Sequence, residues 1–148
     1  MPGRIERRGP FLLTYAIDQQ VRQIMELTFN SAPLTPGEFA MYSVLNLVER
    51  TTPSELAADL GLSRSTLSNA LRRMDSRGHL RRKRNPDDGR SQLVSLTAAA
   101  RRLTVQCLPA FEHAITAFGD HHLDHDEERL LEAMEAMSAA CEKAIAQA

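Results

Sequence analysis

Apolar positions recur at helical spacing along most of the chain. From Pro10 to about Asn30, Phe11, Leu12, Tyr15, Ile17, Val21, Ile24 and Met25 keep that spacing, and Asn30-Ser31-Ala32-Pro33 breaks it. Thr35-Pro36-Gly37-Glu38 reads as a capping box with proline at the first helical position, opening a helix expected to bury Phe39, Tyr42, Leu45 and Val48. Thr52-Pro53-Ser54-Glu55 repeats the device for a short helix ending at Gly61, a candidate left-handed residue. Ser63 can cap a third helix, from Arg64 to about Arg77, stopped by Gly78. After Gly78 the period changes. His79–Arg84 and Ser91–Leu96 read as two short strands joined by the turn Asn85-Pro86-Asp87-Asp88-Gly89-Arg90. Thr97 then caps a long helix to about Phe118, with a kink expected at Pro109. A polar connection leads to a last helix whose Leu130, Met134, Met137, Cys141 and Ile145 form an apolar seam among acids.

The stretch from Glu55 to Met74 carries the most information. Ala57 is small where two helices would cross closely, Gly61 sits in the turn, and Leu56, Leu60, Leu62, Leu67, Ala70 and Leu71 supply a shared core. That pattern is a helix-turn-helix, whose second helix is free to enter a DNA major groove. In this helix Leu67, Ala70, Leu71 and Met74 occupy one face. Arg64, Ser65, Thr66, Ser68, Asn69, Arg72 and Arg73 occupy the others, groups able to bond base edges and phosphates. A basic hairpin following a recognition helix is a wing. Its candidate DNA residues are the arginines Arg82, Arg84 and Arg90, and Arg90, beside Gly89, is placed to enter the minor groove.

Charge first argues against this and then for it. Eighteen Lys+Arg and nineteen Asp+Glu in 148 residues give a net charge of −1, unlike a basic DNA binder. The total hides a segregation: residues 1–63 carry net −2, residues 64–102 net +8, and residues 103–148 net −7. A polyanion meets the local field rather than the sum. No run approaches the ~18 apolar residues of a membrane span, no secretory signal is expected from the charged start, and two cysteines are too few for a disulfide framework. A cytoplasmic location is expected.

On these residues the chain resembles the MarR-type winged helix-turn-helix transcriptional regulators. The matching pieces are Leu34-Thr35-x-x-Glu38-Phe39, Leu56-Ala57-x-x-Leu60-Gly61-Leu62-Ser63, Asn69, Leu71 and Met74 of the recognition helix, and Arg77-Gly78. They continue through Arg82-x-x-Asn85-Pro86-Asp87-Asp88-Gly89-Arg90-Ser91 into Leu96-Thr97. Ala100 stands where that family often has glycine. The resemblance implies a mainly α (α+β) fold in a single domain over 1–148. A winged helix-turn-helix DNA-binding lobe at 34–97 would be flanked by N- and C-terminal dimerisation helices at 10–30 and 98–147. It further implies that Asp88 and Arg90 brace the wing, with Arg90 supplying the minor-groove arginine. The expected protein is a homodimeric repressor on a pseudo-palindromic operator of double-stranded DNA, released by an unidentified small-molecule effector.

Other signals are weaker. His121, His122 and His125, among five carboxylates between Asp120 and Glu128, are of types that bind divalent metals, but a solvated loop into a helix is the simpler reading. Cys107 and Cys141 lie on apolar faces without an adjacent cationic cluster to stabilise thiolate, and His113 reads as an ordinary helix residue. No phosphate loop, nucleophile elbow or paired-carboxylate site is present, so neither catalysis nor a cofactor is expected. The alternatives are a winged-helix module whose basic face docks an acidic protein, and a metal- or redox-responsive variant of the same regulator.

Overall fold

The computed structural model describes residues 9–119 and 126–147. The elements are α1 (Gly9–Thr28), α2 (Pro36–Val48), α3 (Pro53–Asp59), α4 (Arg64–Ser76), β1 (Leu80–Arg84), β2 (Gln92–Leu96), α5 (Ala98–Gly119) and α6 (Glu127–Ala146). Two compact units divide between Ala114 and Ile115. The first holds α1 to β2 and most of α5; the second holds the end of α5 and α6.

Local chemistry fixes the helix ends of the first unit. Thr35 Oγ1 accepts from the Glu38 N–H at 3.3 Å, and the Glu38 carboxylate accepts from the Thr35 N–H at 3.0 Å. Thr52 and Glu55 repeat the box at 3.3 and 2.8 Å, and Ser63 Oγ accepts from the Thr66 N–H at 3.2 Å. Each arrangement satisfies amide donors that a helix start leaves unpaired. Both ends of the helix-turn-helix pair close as Schellman motifs. Leu62 N–H donates to Ala57 O and Gly61 N–H to Ala58 O, while His79 N–H donates to Met74 O and Gly78 N–H to Asp75 O. The two glycines sit at φ +61° and +67°, where a Cβ would be strained.

The end of α2 was not foreseen. Glu49 adopts φ 60°, ψ −44°, and the Arg50 N–H donates to Val48 O at 2.6 Å, a γ-turn in a conformation rare for a residue with a side chain. It steers Thr51 alongside β2, where Thr51 and Val94 exchange both backbone hydrogen bonds. Val48, at this turn, stays 41% exposed instead of joining the core. Met41 is buried in addition to Phe39, Tyr42 and Leu45, because α2 packs against α1, α3 and β2 and so hides more than one face.

One core joins Leu34, Phe39, Tyr42, Leu45, Leu56, Leu67, Leu71, Met74, Val94, Leu96, Ala100 and Cys107. Leu60 and Leu62 are only partly buried at its edge. The strands pair antiparallel with Leu80 opposite Leu96, Arg82 opposite Val94 and Arg84 opposite Gln92. Helix α5 runs through Pro109 without interruption. In the second unit, Asp126 caps α6 by accepting from the Arg129 N–H.

Candidate nucleic-acid interface

Helix α4 divides cleanly. Leu67, Ala70, Leu71 and Met74 are buried, and Arg64, Ser65, Thr66, Ser68, Asn69, Arg72 and Arg73 are all exposed. At its N-terminus the Ser63 hydroxyl lies 3.1 Å from that of Ser65 and 2.8 Å from that of Thr66, clustering short polar groups where the helix dipole attracts phosphate. One turn on, the Asn69 side-chain oxygen accepts from the Arg72 guanidinium. Amide and guanidinium thus present themselves as one surface, with the Asn69 NH₂ and the rest of the Arg72 fork available as donors.

The wing residues divide by role. Arg82 donates to Asp75 Oδ2 from Nε at 3.0 Å and from Nη2 at 2.6 Å, tying β1 to the end of α4. That guanidinium is committed to the protein, unlike the one on Arg90. Arg84 folds its guanidinium over Gly89, where an added Cβ would lie 2.8 Å from Nη2. The brace expected between Asp88 and Arg90 is made to the backbone: Asp88 Oδ1 accepts from the Arg90 N–H at 3.0 Å, and the Asp88 carbonyl accepts from the Ser91 N–H at 3.0 Å. Asn85 closes the loop through Ser91, side chain to side chain at 2.9 Å and backbone to backbone at 3.1 Å. The Arg90 guanidinium enters no ion pair among the described residues.

Two contacts that hold this surface in place join residues far apart in sequence. Arg77 Nη1 donates to Glu38 Oε1 at 2.7 Å, and the Tyr42 hydroxyl hydrogen-bonds His79 Nδ1 at 2.8 Å. Both anchor the end of α4 and the start of the wing to α2. The Thr97 hydroxyl adds a third link, donating to Gly78 O at 3.0 Å. A cleft of about 550 Å³ opens beside them, lined by Phe29, Leu34, Glu38, Arg77, His79 and Leu103.

The Glu38 carboxyl is pulled both ways: burial raises it, while the Thr35 N–H and the Arg77 guanidinium together lower it below the usual glutamate range. A carboxyl lowered in the fold binds its proton more weakly there than in the unfolded chain. Its contribution is therefore fully present above the unfolded value, near ~4.3, and is lost as pH falls through the lowered folded value. The urea midpoint is expected to be flat near neutrality and to fall on acidification, with Glu38→Gln showing a shallower fall. An identical acid limb for the two proteins would remove Glu38 from this account.

Burial raises the pKa of the Cys107 thiol, away from the reactive thiolate that a redox role needs. The metal candidates His121, His122 and His125 lie outside the described residues. Among the described residues no group of three or more His, Cys, Asp or Glu could hold a metal ion, and no helix is long and apolar enough to cross a membrane.

Residues 33–91 match the profile of the MarR family. The HTH-type transcriptional repressor YetL of Bacillus subtilis (strain 168) is 24% identical over 120 residues, which are 80% of this chain and 72% of the relative. Among solved structures, the M. tuberculosis transcriptional regulator MOSR in complex with DNA aligns with a TM-score of 0.75 at 24% identity, covering 92% of this chain and 98% of that one. A mutant MarR from E. coli complexed with operator DNA gives 0.71 at 24%, covering 84% and 89%. At such identities the structures speak to the fold alone.

Proposed function

We propose that the chain is a MarR-type transcriptional regulator and a homodimeric repressor, a reading supported by the match of residues 33–91 to that family's profile and by the 24% identity to a Bacillus subtilis repressor over 120 residues. It reads a pseudo-palindromic operator and is released by a small-molecule effector. The observation that carries the reading is the division of α4, with every apolar residue of Arg64–Ser76 buried and every candidate DNA contact exposed. In this reading Ser65, Thr66, Ser68, Asn69 and Arg72 face the major groove, and Arg64 and Arg73 hold phosphates. Arg90 enters the minor groove, Arg84 and Asp88 shape the hairpin behind it, and Arg82 sets the wing's angle through Asp75.

Residues 34–97 form the DNA-binding lobe, and 10–30 with 98–147 the dimerisation helices. The support is apolar surface: α1 buries none of its residues and leaves Phe11 73% exposed, with Tyr15 and Leu27 also in water. Likewise, α6 buries none of its own and exposes Leu131, Met134 and Ile145. Contiguous apolar faces of this kind mark association surfaces. The cleft beside Arg77 and Glu38 is the place for an effector, since an acidic ligand there competes for the guanidinium that anchors α4 to α2.

The test is a band shift with the gene's own upstream region against an unrelated fragment of equal length. Selective retardation of the upstream DNA is expected, with affinity falling steeply as salt rises, because several arginines release counterions. Equal retardation of both fragments, or a flat salt response, would sink the reading.

A further inference from the structure

The wing has a second charged face that the reading above does not use. Strand residues alternate between faces. Leu80 and Arg82, opposite Leu96 and Val94, point toward the core and α4, as the Arg82–Asp75 pair shows. Arg81, opposite Ser95, and Lys83, opposite Leu93, therefore point the other way. On that outer side they border a groove of about 570 Å³ together with Arg50, Arg101 and one carboxylate, Glu49; Arg84, which shares the register of Arg82 and folds over Gly89, also lines it. Arg50 reaches it because Thr51 pairs with Val94 on the core face, which turns its neighbour outward.

Three features mark the groove as built for an anion. None of Arg50, Arg81, Lys83, Arg84 or Arg101 enters an ion pair among the described residues, so the cations repel one another in the free protein. Arg101 stands near the start of α5, the end of a helix where a cation is disfavoured. The strained γ-turn at Glu49 forms one wall, and backbone strain of this kind clusters at functional sites.

We propose that this outer face of the wing holds the phosphate backbone of duplex DNA flanking the operator half-site, so that each lobe grips DNA beyond the bases it reads. The proposal rests on the DNA-binding reading above. Duplex DNA is favoured over an acidic protein because the groove continues the hairpin whose turn carries Arg90. Moreover, its lining has no aromatic side chain of the kind that anchors protein interfaces. Backbone contacts of this sort add affinity and salt dependence without adding sequence preference.

The experiment uses the full chain and two duplexes: an operator core trimmed to the minimal selective fragment, and the same core extended at each end with unrelated sequence. The variants are Arg81→Ala/Lys83→Ala/Arg101→Ala, all at exposed positions, and Arg90→Ala. Wild type is expected to bind the extended duplex more tightly and with a steeper salt dependence than the core. The triple variant should lose that gain, its slope on the extended duplex falling by about 0.9 for each phosphate contact removed, roughly 3 per lobe. On the core it should match wild type, whereas Arg90→Ala weakens both duplexes.

A triple variant equal to wild type on both duplexes overturns the proposal, as does one weakened equally on both. Polyglutamate binding that depends on the three residues, with no effect of flanking DNA, overturns it in favour of an acidic protein partner. Selective binding of wild type to the core is scored separately, so failure of the regulator reading itself is recognised by its loss.

Discussion

Leu71→Ala is expected to lower the unfolding free energy by about 2–5 kcal/mol. Leu71 is 3% exposed, in the middle of the buried face of α4 with Leu67 and Met74, above α3. Truncation removes the γ-methine and both δ-methyl groups from a packed site. The surrounding chain can relax only partly, because α4 is held at one end by the Ser63 cap and at the other by the Schellman motif and Arg77. The loss therefore combines transfer and cavity costs. Leu47→Ala is the matched comparison: Leu47, on α2, is 81% exposed, and a surface substitution of this kind stays within about 0.5 kcal/mol. Urea unfolding at one fixed protein concentration measures both, since dimerisation would otherwise move the midpoint. Similar costs for the two leucines would remove the burial argument. DNA affinity of folded Leu71→Ala protein should change less than its stability, because no exposed residue of α4 is lost.

What could be read from the sequence was what the chain decides locally. Both capping boxes, the Ser63 cap, the stops at Gly61 and Gly78 and the two faces of α4 depend on residues within a turn or two of each other, and each is found where the pattern placed it. The hairpin was legible for the same reason, its turn residues bracketing alternating strands. The remainder depends on tertiary contact. Glu38 reads as a capping residue and is one, but its other oxygen takes Arg77 from 39 positions away. Nothing near His79 points to Tyr42. Arg82 reads as one of a run of bases; only the strand's orientation over α4 pairs it with Asp75. The turn at Glu49 carries no glycine to announce it, and Val48 is exposed because that turn takes the chain away. The basic run in β1 was legible as charge, but its division into an inward Arg82 and outward Arg81 and Lys83 needed the register.

These long-range contacts also hold the exposed face of α4 and the wing to one wall of the core. Glu38–Arg77, Tyr42–His79 and Thr97–Gly78 converge within three residues of the junction between α4 and β1. A helix and a wing fixed to the same wall approach DNA as one body. The ordering cost of presenting their side chains is then met during folding rather than at binding. In the proposed reading, a ligand that breaks the Arg77 link would loosen α4 and the wing together.

Arg90→Ala is expected to weaken operator binding by about 1–3 kcal/mol for each wing, the range of a specific groove contact. In the proposed symmetric dimer both wings lose the contact. Their separation makes the losses add, for a total of about 2–6 kcal/mol, from roughly thirtyfold to more than ten-thousandfold in Kd. The geometry argues for so large an effect. Asp88 and Ser91 fix the backbone on either side of Arg90, Asn85 closes the loop, and the guanidinium itself enters no ion pair among the described residues. Binding therefore orders one side chain instead of a whole loop. A narrow A·T-rich minor groove concentrates negative potential, and a planar arginine fits there better than a hydrated ammonium. Arg90→Lys should recover only part of the affinity, and Asp88→Ala should lose less than Arg90→Ala because it frees the backbone while keeping the charge. Fluorescence anisotropy on the upstream duplex, and on versions with A·T pairs under the wing changed to G·C, reads all three. Wild type should discriminate between the duplexes and Arg90→Ala should not. Unchanged affinity and unchanged discrimination in Arg90→Ala would leave the tip of the wing without a role in recognition.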